Sequence, residues 1–264
     1  MVKVLAIVVV LGALAALVLW ELPRFYERPI GGTVAAQQAA YQRGDYEGQL
    51  RALEPLKAVK PDAYLYLRGF ALLELGRLQE AEACLRQSLA MEKDRSLRAV
   101  AESELGHVLL EQRRYPEAIA SFESSVADWP QRGGGHRGIA EALLRQGVQP
   151  DEALRQAQQA TEIDQGNTSF SAEVRDLNVG SSLATLAWAE AVNAGGAAEV
   201  EGLLSKAFAL CPESNVPTRA RVLYCAGRAY SALGKSEESA QEFEAAASLD
   251  PKGNYGRLAK AAKP

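Results

Sequence analysis

From about Ile30 onward, apolar residues recur at three- and four-residue spacing, the interval that gathers them on one face of an α-helix. Turn signals interrupt this pattern at Gly44-Asp45, Gly76, Gly147 with Pro150, Gly195 and Gly234. The pattern predicts a succession of short amphipathic helices joined by tight turns. The start of the chain has a different character. Val4 to Trp20 is a run of 17 apolar or small residues, bounded by Lys3 and Glu21 and with no polar face. As a helix it would be about 25 Å long, slightly short of a hydrocarbon core of about 30 Å. Lys3 can reach outward, and Trp20 and Tyr26 suit the interfacial belt. The run therefore predicts a single transmembrane helix over 4–20. A cleaved secretory signal is the rival reading, with Lys3 as its basic region and Ala13-Leu14-Ala15 as its cleavage site. The apolar run continues past that site to Trp20, which favours an uncleaved anchor.

Orientation depends on few charges. Lys3 and the terminal amine precede the run, and Arg24 and Arg28 come after it, so the two sides nearly balance. The short basic tail has the form of a signal-anchor. It points to a single-pass protein with its remaining chain on the extracytoplasmic side. Three cysteines, an odd number, point the other way.

Self-similarity organises the chain beyond the anchor. Leu67 to Leu89 carries Gly69, Gly76 seven residues on, then Ala81 and Leu85. Cys225 to Ala247 carries Gly227, Gly234 again seven on, then Ser239, Phe243 and Ala246. Leu105-Gly106 is succeeded at matching offsets by Tyr115, Ala118, Phe122 and Pro130. The first glycine of each set allows two helices of a hairpin to approach closely, and the second occupies the turn between them. The small residue and the larger one four positions later share a face of the second helix and pack against the first.

These landmarks resemble the tetratricopeptide repeat family, whose unit is a helix-turn-helix of about 34 residues. The resemblance implies an all-α fold, a right-handed superhelical solenoid preceded by the single transmembrane helix. Six units align, at about 30–61, 62–93, 99–130, 131–165, 181–212 and 220–251. The fourth has extra residues around its turn, and the fifth has Trp188 where the packing glycine stands elsewhere. The resulting organisation is an anchor and linker over 1–29, four units over 30–165, an inserted segment over 166–180, two units over 181–251 and a basic cap or tail over 252–264. The insertion, with Gly166-Asn167-Thr168-Ser169, reads as a loop, a helix extension or a hinge.

Composition and motifs exclude more chemistry than they suggest. A net charge of -4 gives no basis for a nucleic-acid partner. With two histidines and three cysteines, no cofactor or metal is expected, and no catalytic motif appears. Gly133-Gly134-Gly135 precedes a helix, but neither a leading strand nor the Lys-Ser/Thr of a phosphate loop accompanies it. His107 shares a helix face with Glu104 and Glu111, which reads as a polar groove cluster rather than a metal or acid–base centre. Cys84, Cys211 and Cys225 read as apolar fillers, with a Cys211–Cys225 disulfide as the alternative.

The resemblance implies that ligands lie on the concave face built from the first helix of each unit. On that face it places Gln38 and Tyr41 of the first unit, Tyr66, Phe70 and Leu73 of the second, His107 and Leu110 of the third, and Tyr224 and Arg228 of the sixth. Val34, Gln38 and Leu67 stand where receptors for chaperone tails carry Lys and Asn, so that subtype is excluded. The expected function is a non-enzymatic, membrane-tethered scaffold holding a peptide segment or protein partner in this groove. The alternative is a structural component of a membrane-associated complex that self-associates into a homo-oligomer through its repeats.

Overall fold

The computed structural model describes residues 32–262, and among these every regular element is a helix. The first, α1, covers residues 32–42. It is followed by α2 (Tyr46–Leu53) and the single turn α3 (Leu56–Val59). Then come α4 (Pro61–Glu74), α5 (Leu78–Met91), α6 (Arg95–Glu111), α7 (Tyr115–Asp128), α8 (Gly134–Gln146) and α9 (Pro150–Gly166). The series ends with α10 (Ala172–Val192), α11 (Ala197–Leu210), α12 (Val216–Ala232), α13 (Ser236–Leu249) and α14 (Asn254–Ala262). From α4 to α13 consecutive helices pair as hairpins, and α4, α6, α8, α10 and α12 form the inner layer of the stack.

Local chemistry sets the boundaries. Asp94 and Asn215 close the starts of α6 and α12 by accepting the backbone N–H of Leu97 (3.0 Å) and of Thr218 (3.3 Å). The hairpin turns at Gly76 and Gly234 have φ of 72° and 73°, a left-handed conformation that glycine adopts without strain. Of the segment 166–180, the residues from Ala172 onward are the opening turns of α10, capped by Ser171.

Packing within hairpins obeys the glycine–knob pattern. A Cβ on Gly69 would lie 2.7 Å from Leu85, one on Gly106 2.6 Å from Phe122, and one on Gly227 2.6 Å from Phe243. Each large side chain therefore fills the hole left by a glycine on the preceding helix. Phe122 fills two, since a Cβ on Gly138 of the next hairpin would come within 2.3 Å of its ring. Trp188, at the fifth hairpin's corresponding position, is itself buried and meets the Tyr224 ring edge-on at 6.1 Å. Cys211 and Cys225 are buried and unpaired, and burial pushes their thiols up to about 11 and about 12.

The two ends of the stack meet. The Tyr46 hydroxyl donates to Asp250 at 2.6 Å, and Gly44 faces Val216 at the start of α12. Helix α14 packs on α12 and α13 and continues across to the N-terminal half. Its Asn254 N–H donates to Glu74 at 2.9 Å, and the Arg257 guanidinium donates to the carbonyls of Leu73 and Glu74 at the end of α4. The tail is thus more than a cover for the last hairpin: it fills part of the concave face.

The single-pass membrane placement requires correction. Among the described residues no helix is long and apolar enough to cross a membrane. The helices are amphipathic, and even the 21-residue α10 carries Glu173, Arg175, Asp176 and Glu190. The apolar run at 4–20 that suggested an anchor lies outside the described residues.

Two outcomes are expected from this packing. Gly138→Ala drives a methyl group into Phe122 at a cost of about 1–3 kcal/mol, which outweighs a helix-propensity gain of about 1 kcal/mol. Urea denaturation should show a net loss of stability, partly restored when Phe122→Leu is added. A chain ending at Pro251 lacks the contacts of Asn254, Tyr255 and Arg257, and small-angle scattering should record a larger radius of gyration.

Candidate functional site

The inner helices and α14 enclose a cavity of about 290 Å³ on the concave side. One wall is aromatic and amide-bearing. Tyr41 from α1 and Phe70 from α4 have ring centroids 5.0 Å apart, and Tyr66 stands one turn before Phe70. Gln37, Gln38 and Gln49 border them, with Gln49 donating to the Gln37 side chain at 3.1 Å. Charged residues complete the lining: Arg132 just before α8, Arg137 in its first turn and Arg221 on α12, with Glu74 on α4 and Glu104 on α6. Asn254 and Tyr255 of α14 complete the enclosure.

A buried ionic network supports the charged wall. Glu141 on α8 is 1% exposed; it accepts from Arg221 (2.7 Å) and the Tyr255 hydroxyl (3.0 Å) and pairs with Arg145 at 3.0 Å. Burial alone would raise its carboxyl, but Arg145 and Arg221 outweigh that and hold it at about 2. Arg145 also donates to Glu111 at 2.6 Å. Asp164 on α9 accepts from Arg137 (3.3 Å), from the Ser182 hydroxyl (2.7 Å) and from the Gly133 N–H at the start of α8 (3.1 Å). That last bond explains the triple glycine. Gly133 leaves room for the Ala160 carbonyl, and Asp164 supplies the anion that the helix start attracts, so the run is a packing device and not a phosphate cradle.

Two cavity residues have strongly displaced titrations. Burial, reinforced by Arg221, pushes His107 down to about 3 despite the attraction of Glu141, so the imidazole is neutral. It packs edge-on against Phe122 at 5.0 Å. Burial pushes Glu74 up to about 8, against the Asn254 amide that donates to it.

Of the residues expected on the concave face, Gln38, Tyr41, Tyr66, Phe70, Leu73 and His107 line the cavity together. The other three do not. Leu110 is buried in the core at 2% exposure. Tyr224 packs among Trp188, Phe243 and Tyr255, and Arg228 lies 4.9 Å from the centre of the Trp188 ring. Of the His107 cluster, Glu104 also faces the cavity while Glu111 turns to Arg145. No group of residues suited to hold a metal occurs among the described residues. Sequence reasoning missed Arg132, Arg137 and Tyr255. The two arginines flank the triple glycine, which was the available signal; nothing local brings Tyr255 of α14 against Glu141 of α8.

Profiles of the tetratricopeptide repeat match residues 63–95, 103–168 and 220–252. The chain thus carries tetratricopeptide repeats in α4–α5, from within α6 to the end of α9, and in α12–α13. No curated protein matches it. Among solved structures it is similar to PilW, a type IV pilus biogenesis factor, with 18% identity over 86% of this chain and 97% of that one and a TM-score of 0.49. It is also similar to PilF of Pseudomonas aeruginosa, with 16% identity over 90% and 99% of the two chains and a TM-score of 0.48. YrrB, described as a TPR protein with an unusual peptide-binding site, is 19% identical over 80% and 99%, with a TM-score of 0.39. At these identities and scores the likeness carries no information on partner or ligand.

The displaced titrations set an expected pH dependence. His107 excludes a proton in the folded state, so its contribution to stability is complete above about pH 6.5 and declines as pH falls toward 3. Glu74 has the opposite sign: its contribution is complete below about pH 4.5 and is lost as pH rises through 8. Urea midpoints of His107→Gln should therefore fall less steeply than wild type below pH 6.5. Those of Glu74→Gln should fall less steeply between pH 5 and 8. Each difference is at most about 1.4 kcal/mol per pH unit.

Proposed function

We propose that the protein is a non-catalytic protein-interaction scaffold of six helix-pair units that holds a peptide segment of its partner in the concave groove. The observation that carries this reading is the half-buried aromatic strip of Tyr41, Tyr66 and Phe70 beside the Gln37 and Gln38 amides. Aromatic side chains in a stacked-helix protein normally disappear into the core, as Tyr46 and Phe122 do. Rings held at a cavity wall offer apolar contact, and neighbouring amides offer the hydrogen bonds that set the register of an extended chain. The cavity volume admits one anchoring side chain or a chain end, with flanking residues running along α1, α4 and α6. The His107 ring packs edge-on against Phe122 and serves the cavity as part of its wall.

Peptides selected from a displayed library against the full chain provide the test. Tyr66→Ala combined with Phe70→Ala should weaken a selected peptide at least tenfold by fluorescence polarisation, with helical circular dichroism unchanged. Equal affinity in the double variant removes the groove assignment. Sedimentation of the full chain distinguishes the scaffold, expected as a monomer, from an assembly component that self-associates at low micromolar concentration.

A further inference from the structure

The cavity's charged wall has a chemistry that a peptide-register function does not use. Arg137 and Arg221 are both 8% exposed; Arg137 donates through Nη1 to Asp164 and Ser182, and Arg221 through Nη2 to Glu141. The Nε of each, together with Nη1 of Arg132, is buried with no hydrogen-bond partner in the protein. Among the described residues, no ion pair or side-chain hydrogen bond engages the Arg132 guanidinium. Unpartnered donors on three clustered guanidinium groups leave their positive charge only partly compensated by the protein, which favours an anion beside them. Among the described residues, neither Glu74 nor Glu104 forms an ion pair with these arginines. Burial pushes Glu104 up, against the pull of Arg132, Arg221 and Arg137, and it pushes Glu74 up to about 8. Arg137, lowered by burial and by Arg221 to about 10, still carries its charge at neutral pH. Arg132, Arg137 and Arg221 therefore gather positive charge at this cavity.

We propose that the cavity binds a small aromatic oxyanion, its carboxylate or phosphate seated against Arg132, Arg137 and Arg221 and its ring against Tyr66 and Phe70. Guanidinium donors match the planar or tetrahedral oxygens of such groups. A volume of about 290 Å³ lies near the lower bound of small-molecule sites, which suits a single ring bearing one charged group. This inference shares with the peptide reading the cavity and its Tyr66 and Phe70 wall, and titration with an anion and with a peptide separates the two.

Isothermal titration of the full chain with phenyl phosphate, benzoate and neutral benzyl alcohol tests it. At least one of the two anions should bind ten times or more tightly than benzyl alcohol, and the arm that does so identifies the group recognised. Arg132→Met keeps the aliphatic stem and breaks no internal pair; it should weaken the anion at least tenfold. Glu104→Gln removes the opposing carboxyl and should tighten the anion about threefold or more, a gain that a merely structural residue would not produce. If Arg132→Met fails to fold, Arg132→Lys keeps the charge and should weaken the anion about threefold. The inference is overturned if neither anion binds, if benzyl alcohol binds equally well, or if the folded Arg132 variant binds with wild-type affinity. Peptide binding without anion binding would overturn this inference alone. Anion binding without any selectable peptide would overturn the peptide reading alone.

Discussion

Glu141 is a carboxylate with almost no exposed surface, and such a charge persists in a protein interior only if neighbouring groups replace the water it has lost. One partner is local, Arg145 one turn along α8, and two are distant in sequence, Arg221 on α12 and Tyr255 on α14. Satisfying this one group draws the C-terminal helices onto the middle of the stack. It also aims Arg221 into the cavity and makes α14 part of the cavity wall. Removing one partner would leave the others uncompensated, which makes the network a constraint on geometry more than a source of net stability.

The hairpins that carry these charges are set by a simpler rule. A glycine on the inner helix opens a hole, and a Leu or Phe from the outer helix fills it, as in Gly69–Leu85, Gly106–Phe122 and Gly227–Phe243. Phe122 extends the rule across a repeat boundary by also filling the space at Gly138. Close-packed interiors tolerate little change in volume, so these contacts hold each inner helix at a definite distance from its neighbours. That distance fixes the spacing of the cavity walls. Aromatic residues on α1 and α4 and arginines on α8 and α12 face one another because the stack curves and its two ends join through Tyr46 and Asp250.

Helix-period spacing, turn glycines and the small-then-large pairs belong to contacts within one hairpin, over ten to forty residues of chain. The sequence therefore determined the helical class and the repeated hairpins, and Tyr41, Tyr66, Phe70 and His107 of the expected concave face line one cavity. It did not show that Tyr224 belongs to the core. At that position burial depends on Trp188, Phe243 and Tyr255 from three other helices. Nor did it show that α14 spans the concave face, because the contacts of Asn254 and Arg257 with α4 join residues about 180 positions apart. How the charged residues of the cavity are paired was decided by tertiary structure alone. Whether an arginine is solvated, paired or left with unsatisfied donors depends on which distant carboxylates reach it and how much water remains, and no local pattern encodes either.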